Sequence, residues 1–121
     1  MAVMDKVVVP LEHLNKFFID GAWVSPSSGD SFKVIDSGTE KLFFSVAEAQ
    51  KADMDRAVAA ARNAFDNGPW PRMTHVERGE YLHKIADALQ RRMEDVAQIF
   101  PRQSGIVYGG SHFITGQNVE L

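Results

Sequence analysis

The chain contains no cysteine among its 121 residues. That excludes a disulfide framework and any thiolate metal site. It also removes the thiolate, the strongest common side-chain nucleophile near neutral pH. Positive charge is not in excess: the formal net charge is −3, whereas a nucleic-acid binder normally carries a basic stripe. No apolar run approaches the roughly 20 residues needed to cross a bilayer. Val7-Val8-Val9 is too short for a signal-peptide core, and no clean small-residue cleavage site follows it. Internal repeats and low-complexity tracts are absent too. These absences lead to the expectation of a cytoplasmic protein with neither a nucleic-acid nor a membrane partner.

What is present is globular in character. Hydrophobic residues make up 45% and charged residues 24%, both ordinary for a folded domain. The length suits one small domain or part of a larger one. A domain of this size buries roughly two-thirds of its unfolded surface, unless it is a piece whose contact faces are left bare.

Residues 1–15 read as an arm without a sustained period. Residues 16–47 read as two β-hairpins. Asp20-Gly21 stands between Phe17-Phe18-Ile19 and Ala22-Trp23-Val24. Asp-Gly between two apolar runs is the strongest short hairpin signal, because both turn residues need positive φ. Phe32 to Asp36 and Leu42 to Val46 form the second pair, joined by a turn at Ser37-Gly38-Thr39-Glu40.

The period changes over residues 52–100, the helical region. Met54, Ala57, Val58, Ala61 and Phe65 fall on one helical face. Asn67-Gly68-Pro69 is expected to stop this helix, with Gly68 as a left-handed cap. Thr74-His75-Val76-Glu77 has the spacing of a capping box. Leu82, Ile85, Ala86, Leu89, Met93 and Val96 follow as a second stripe. A break near Met93-Glu94 would give a short third helix to Phe100, ended by Pro101 and Gly105. Residues 101–121 are a glycine-containing tail. The fold class is therefore α+β: two hairpins, then two or three amphipathic helices.

The search for chemistry finds no constellation. His75 and His83 lie eight residues apart on one helix, about 12 Å along its axis. One metal cannot bridge them, and neither His13 nor His112 supplies a helical i,i+4 partner. Gly105 to Gly110 has the glycine spacing of a phosphate loop but lacks its lysine. Glu94-Asp95 reads as a solvated helix start rather than an acid–base pair. The serines sit mainly in turns, outside any Gly-x-Ser-x-Gly elbow. Trp23 and Trp70 flank turns and read as packing anchors. No residue is assigned a catalytic, cofactor-binding or metal-ligating role.

The order of motifs resembles the N-terminal segment of the aldehyde dehydrogenases. Phe18-Ile19-Asp20-Gly21-Ala22-Trp23-Val24 resembles that family's opening hairpin. Phe32-Lys33-Val34-Ile35 resembles the strand leading into its Asn-Pro-Ala-Thr-Gly-Glu turn, and Val46-Ala47-Glu48 the strand after it. Asp53 to Phe65 is similar to its first helix. Gly68-Pro69-Trp70-Pro71-Arg72-Met73 is similar to the linker, and Glu77 to Leu89 to the second helix. Such enzymes oxidise an aldehyde to a carboxylic acid with NAD or NADP. A cysteine attacks the aldehyde carbon, a glutamate activates water, and preorganised donors hold the oxyanion.

The resemblance implies that those residues lie far downstream of the matched region, so the chain is expected to be inactive alone and to bind no cofactor itself. Two departures stand out. The turn at residues 36–40 lacks the family's proline and later glycine. Phe100-Pro101-Arg102-Gln103-Ser104-Gly105 replaces the family's Glu-Thr-Leu-Asp-x-Gly. In some members that aspartate helps hold a structural cation with a backbone carbonyl matching Ile35, so Gln103 leaves no metal assignment here.

Three readings compete. The first is an aldehyde dehydrogenase N-terminal segment, prone to self-association or to association with aldehyde dehydrogenase subunits. The second is a stand-alone interaction or oligomerisation module derived from that fold, which would co-purify with an intact dehydrogenase. The third is an independent small enzyme, which would turn over aldehydes by itself.

Overall fold

The structure is a computed structural model that describes residues 9–107 and Gly110. The first part of the expected arm, His112 and most of the expected tail lie outside the described residues.

Strands β1 (Phe17–Ile19) and β2 (Ala22–Val24) pair antiparallel, with Phe18 opposite Trp23. Asp20 and Gly21 have φ of 52° and 76°. Both are positive, as a two-residue type I′ turn requires. Strands β3 (Ser31–Ile35) and β4 (Leu42–Ala47) form a separate two-stranded antiparallel sheet. The register shifts between Val34 and Ile35, so the pair carries a bulge next to its turn.

The second turn is built by Asp36. Its Oδ1 accepts from the Gly38 N–H at 2.9 Å and the Thr39 N–H at 3.1 Å. An aspartate side chain bonding forward in this way mimics a backbone turn. Glu40 closes the turn with a left-handed φ of 58°.

Helix α1 (Lys51–Asn67) begins with Gln50 as its N-cap. Asp53, at the third helical position, reaches back to the Gln50 N–H at 3.0 Å. That bond sets the start at Lys51, three residues before Met54 opens the apolar stripe. The end corrects an expectation: Gly68 is extended (φ −76°, ψ 170°), not left-handed. Glycine is needed there for space, because a Cβ would sit 2.2 Å from the Ala64 carbonyl oxygen. A 3₁₀ turn (Trp70–Arg72) follows.

Helix α2 (His75–Arg91) carries the expected capping box. The Glu77 N–H donates to Thr74 Oγ1 at 3.3 Å, and the Thr74 N–H donates to Glu77 Oε2 at 2.8 Å. Arg92 breaks the helical path with φ −109° and ψ 11°. Helix α3 (Met93–Ser104) then runs through Pro101 instead of ending there. Pro101 falls in the last turn, where the missing N–H removes one ladder donor near an end that is closing anyway. Gly105 performs the termination, with φ 79° and its N–H donating to the Pro101 carbonyl at 2.8 Å.

The architecture is α+β. Hairpin 1 (β1–β2) packs against α1, and hairpin 2 (β3–β4) packs against α3 through β3. The core is slight: among the described residues, Ala97 is the one fully buried apolar side chain. The other buried residues are Asp36 and Asp53, which are acidic.

Candidate functional site

Two things meet in this molecule: carboxylates that are buried and apolar faces that are not. Asp53 is 2% exposed. Its Oδ1 accepts from the Ser27 N–H at 2.9 Å and from Arg56 Nη2 at 3.1 Å. Its Oδ2 accepts from Ser27 Oγ at 2.7 Å and from the Gln50 N–H at 3.0 Å. Arg56 also donates to the Ser25 carbonyl at 2.9 Å. The loop after β2 is thereby pinned to the start of α1.

The Ser27 hydroxyl does most to hold the Asp53 carboxyl below the usual carboxylate range. Burial opposes it, while the two amides and Arg56 act with it. Every acceptor direction is used by a protein donor. The group is a staple with no capacity left for a ligand.

The large residues of the two helix stripes face outward. On α1, Met54, Val58 and Phe65 are each more than half exposed. On α2, Val76, Leu82, Ile85 and Leu89 are all at least half exposed. Hairpin 1 is met by the small side of α1: Phe18, Gly21, Ala57, Ala60 and Ala64 line a groove of about 340 Å³. Phe18 and Trp23 stack edge-to-face on the outer surface of that hairpin, and His13 tilts over Trp23 with centroids 4.6 Å apart. Rows of exposed large apolar residues along a helix are a mark of a contact face.

The candidate chemical residues stay apart. His75 and His83 are exposed on α2, and His13 lies on Trp23. Among the described residues no group of three His, Cys, Asp or Glu could hold a metal ion. Asp95 pairs with Arg92 at 3.2 Å in the first turn of α3, as a solvated helix start does. Gly105 caps α3, so the glycine-spaced stretch opens with a helix end. Trp70 packs edge-to-face on Tyr81. A larger hollow of about 460 Å³ is lined by Lys16, Ser25, Ser28, Asp30, Ser31 and Ser45, among others. No histidine lines it, and the Ser28 hydroxyl donates to the Asp30 carboxylate at 3.0 Å only as part of an exposed turn two residues long.

Sequence reasoning missed the Asp53 staple. Half of its signal was legible, because Gln50-Lys51-Ala52-Asp53 has capping-box spacing. The Ser27 half lies 26 residues away and has no local signature.

Comparison with known proteins agrees with the fold. The sequence profile of the aldehyde dehydrogenase family matches residues 23–115. Aldehyde dehydrogenase family 2 member C4 of Arabidopsis thaliana is 37% identical over 115 residues, covering 95% of this chain and 22% of that protein. Aldehyde dehydrogenase 1A1 of Mesocricetus auratus is 39% identical over 112 residues, covering 88% of this chain and 22% of its own length. The NAD-dependent aldehyde dehydrogenase of Sinorhizobium meliloti superposes with a TM-score of 0.79 at 34% identity, over 84% of this chain and 20% of that one.

Betaine aldehyde dehydrogenase of Staphylococcus aureus, solved with NAD+, superposes with a TM-score of 0.80 at 28% identity over 88% of this chain and 21% of that one. The chain thus spans about a fifth of the length of the relatives it matches. On these matches, the chain belongs to the aldehyde dehydrogenase family, within its N-terminal segment.

Proposed function

We propose that this chain serves as the N-terminal structural segment of an NAD(P)-dependent aldehyde dehydrogenase, with no catalytic turnover of its own. The observation that carries the reading is the pair of uncovered stripes on α1 and α2. In a protein where this chain spans a fifth of its relatives' length, the remaining four-fifths supplies the surface those stripes lack. Oxidation of the aldehyde to the acid, with NAD or NADP as hydride acceptor, is the work of that larger part. This chain holds no cysteine to attack the carbonyl.

Its own contribution is shape. The hairpins and helices present apolar faces held in register by Asp53 and the Asp36 turn. Cytoplasmic location and association with aldehyde dehydrogenase subunits, or with further copies of itself, complete the proposal. Among the described residues, no helix is long and apolar enough to cross a membrane.

The test has two arms. The purified chain is assayed with NAD+ or NADP+ and a panel of aldehydes, and no turnover is expected. It is then mixed with an aldehyde dehydrogenase from which the matching segment has been removed, and recovery of activity is expected. Turnover by the chain alone, or a cooperative monomer that restores nothing, would overturn the reading.

A further inference from the structure

The two stretches that depart from the family pattern meet in space. The turn at residues 36–40 packs on the end of α3. The Ser37 N–H donates to the Arg102 carbonyl at 2.7 Å, and Ser37 Oγ donates to the same oxygen at 2.8 Å. The Arg102 guanidinium lies 3.6 Å from Asp36 Oδ2 and 5.2 Å from the centroid of the Phe43 ring. Gly105 passes beside Ser37, and a Cβ on it would touch Ser37 Oγ at 3.5 Å. A proline at position 37, as the family's turn has, could make neither of the two donations.

The oxygens of Asp36 and Arg102 do not fit a bound metal. Cation sites of this kind need free carbonyl and carboxylate oxygens. Here the Arg102 carbonyl already accepts two bonds from Ser37. Asp36 Oδ1 accepts two turn amides, and Oδ2 faces a guanidinium. Gln103 is neutral and exposed.

We propose that Arg102 is the built-in counter-cation of Asp36, and that with Ser37 it clasps hairpin 2 to the end of α3 without a metal ion. Arg102 is a positioning residue: its guanidinium makes an ion-pair contact with Asp36 and lies over the Phe43 ring. The ion pair is partly open to solvent, so the clasp relies on it together with the Phe43 contact and the two Ser37 donations. The inference does not depend on the chain having an enzymatic partner.

Hydrogen exchange of the full chain, read by mass spectrometry on peptides spanning residues 36–41, tests it. In the unsubstituted chain, exchange is expected to be equal within error in sodium, potassium and choline chloride at one ionic strength, with or without EDTA. Arg102→Leu is expected to speed exchange in that peptide about fivefold while leaving α2 peptides unchanged, and Arg102→Lys to recover part of the protection. Faster exchange of the unsubstituted chain in choline or EDTA would show a bound ion and overturn the proposal. Unchanged exchange in Arg102→Leu would overturn it as well. Should Arg102→Leu unfold throughout, the salt-replacement arm on the unsubstituted chain decides alone.

Discussion

Glu40→Gly should stabilise hairpin 2, because Glu40 is the one glutamate with positive φ among the described residues. A Cβ in the left-handed region lies close to the following carbonyl oxygen and costs about 1–2 kcal/mol. Glycine carries no such cost but loses more backbone freedom on folding, about 0.5–1 kcal/mol. The net gain expected is therefore about 0.5–1 kcal/mol. Glu40 is exposed, and its N–H donates to the Asp36 carbonyl at 2.8 Å, a bond that glycine keeps.

Asp20 (φ 52°) is a weaker candidate, since aspartate tolerates this region through local bonding. Glu40→Ala is the control: it removes the side chain but keeps the Cβ, and should be neutral. Hydrogen exchange over residues 33–44 should slow about two- to fivefold in Glu40→Gly through rarer local opening. Equal effects of glycine and alanine, or faster exchange in Glu40→Gly, would refute the argument that backbone strain resides at this turn.

Gly68→Ala should shorten α1 at its C-terminal end, since the new Cβ would meet the Ala64 carbonyl oxygen at 2.2 Å. Overpacking of this kind costs about 1–3 kcal/mol, and a lower urea midpoint by circular dichroism checks it. Leu82→Asp with Ile85→Asp should leave helix content unchanged. It should weaken any self-association at least about tenfold in sedimentation, given about 1.5–3 kcal/mol per buried aliphatic side chain. Asp53 and Glu77 both have carboxyl groups held below their ordinary range.

The stability those two groups supply is present above the unfolded carboxylate range near about pH 4. It is lost as pH falls through the lower folded values. Thermal melts between pH 7 and pH 2 should show this loss, and Asp53→Asn should flatten it. A melt equally pH-dependent in Asp53→Asn would remove Asp53 from the account.

Local signals were legible and distant ones were not. Asp20-Gly21 specified its turn through two positive φ values, a demand contained in two residues. Thr74 to Glu77 specified its cap within four. The stripes of α1 and α2 were also readable; their exposure followed from the resemblance to one segment of a larger protein and not from the period, which shows which residues share a face and not what covers it. Gly68 misled because its role is steric: it makes room for the Ala64 carbonyl while remaining extended. Pro101 misled because a proline in a final turn removes little, and Gly105 was already placed to end the helix. The staple between Ser27 and Asp53 and the clasp between Ser37 and Arg102 join residues 26 and 65 positions apart. Neither leaves a pattern within one element.

The distribution of buried groups bears on how such a segment can work. A protein of ordinary design buries its aliphatic side chains and leaves its carboxylates outside. Here, among the described residues, two aspartates and one alanine are buried while many large aliphatic and aromatic residues stand out and others, such as Phe17, Phe44 and Phe100, are half-buried. The polar contacts are directional, so they fix where each hairpin sits on its helix without needing a deep core. The apolar faces are non-directional and remain available for association. A segment whose shape is already set has less conformational freedom to lose on docking, and more of its apolar surface then counts toward affinity. Breaking the Asp53 staple or the Arg102 clasp should therefore weaken docking to the remainder of a dehydrogenase even though neither residue lies on the exposed stripes. Titration of the staple and clasp variants against an enzyme lacking this segment measures that coupling. Unchanged affinity would show that the apolar faces suffice without the fixed frame.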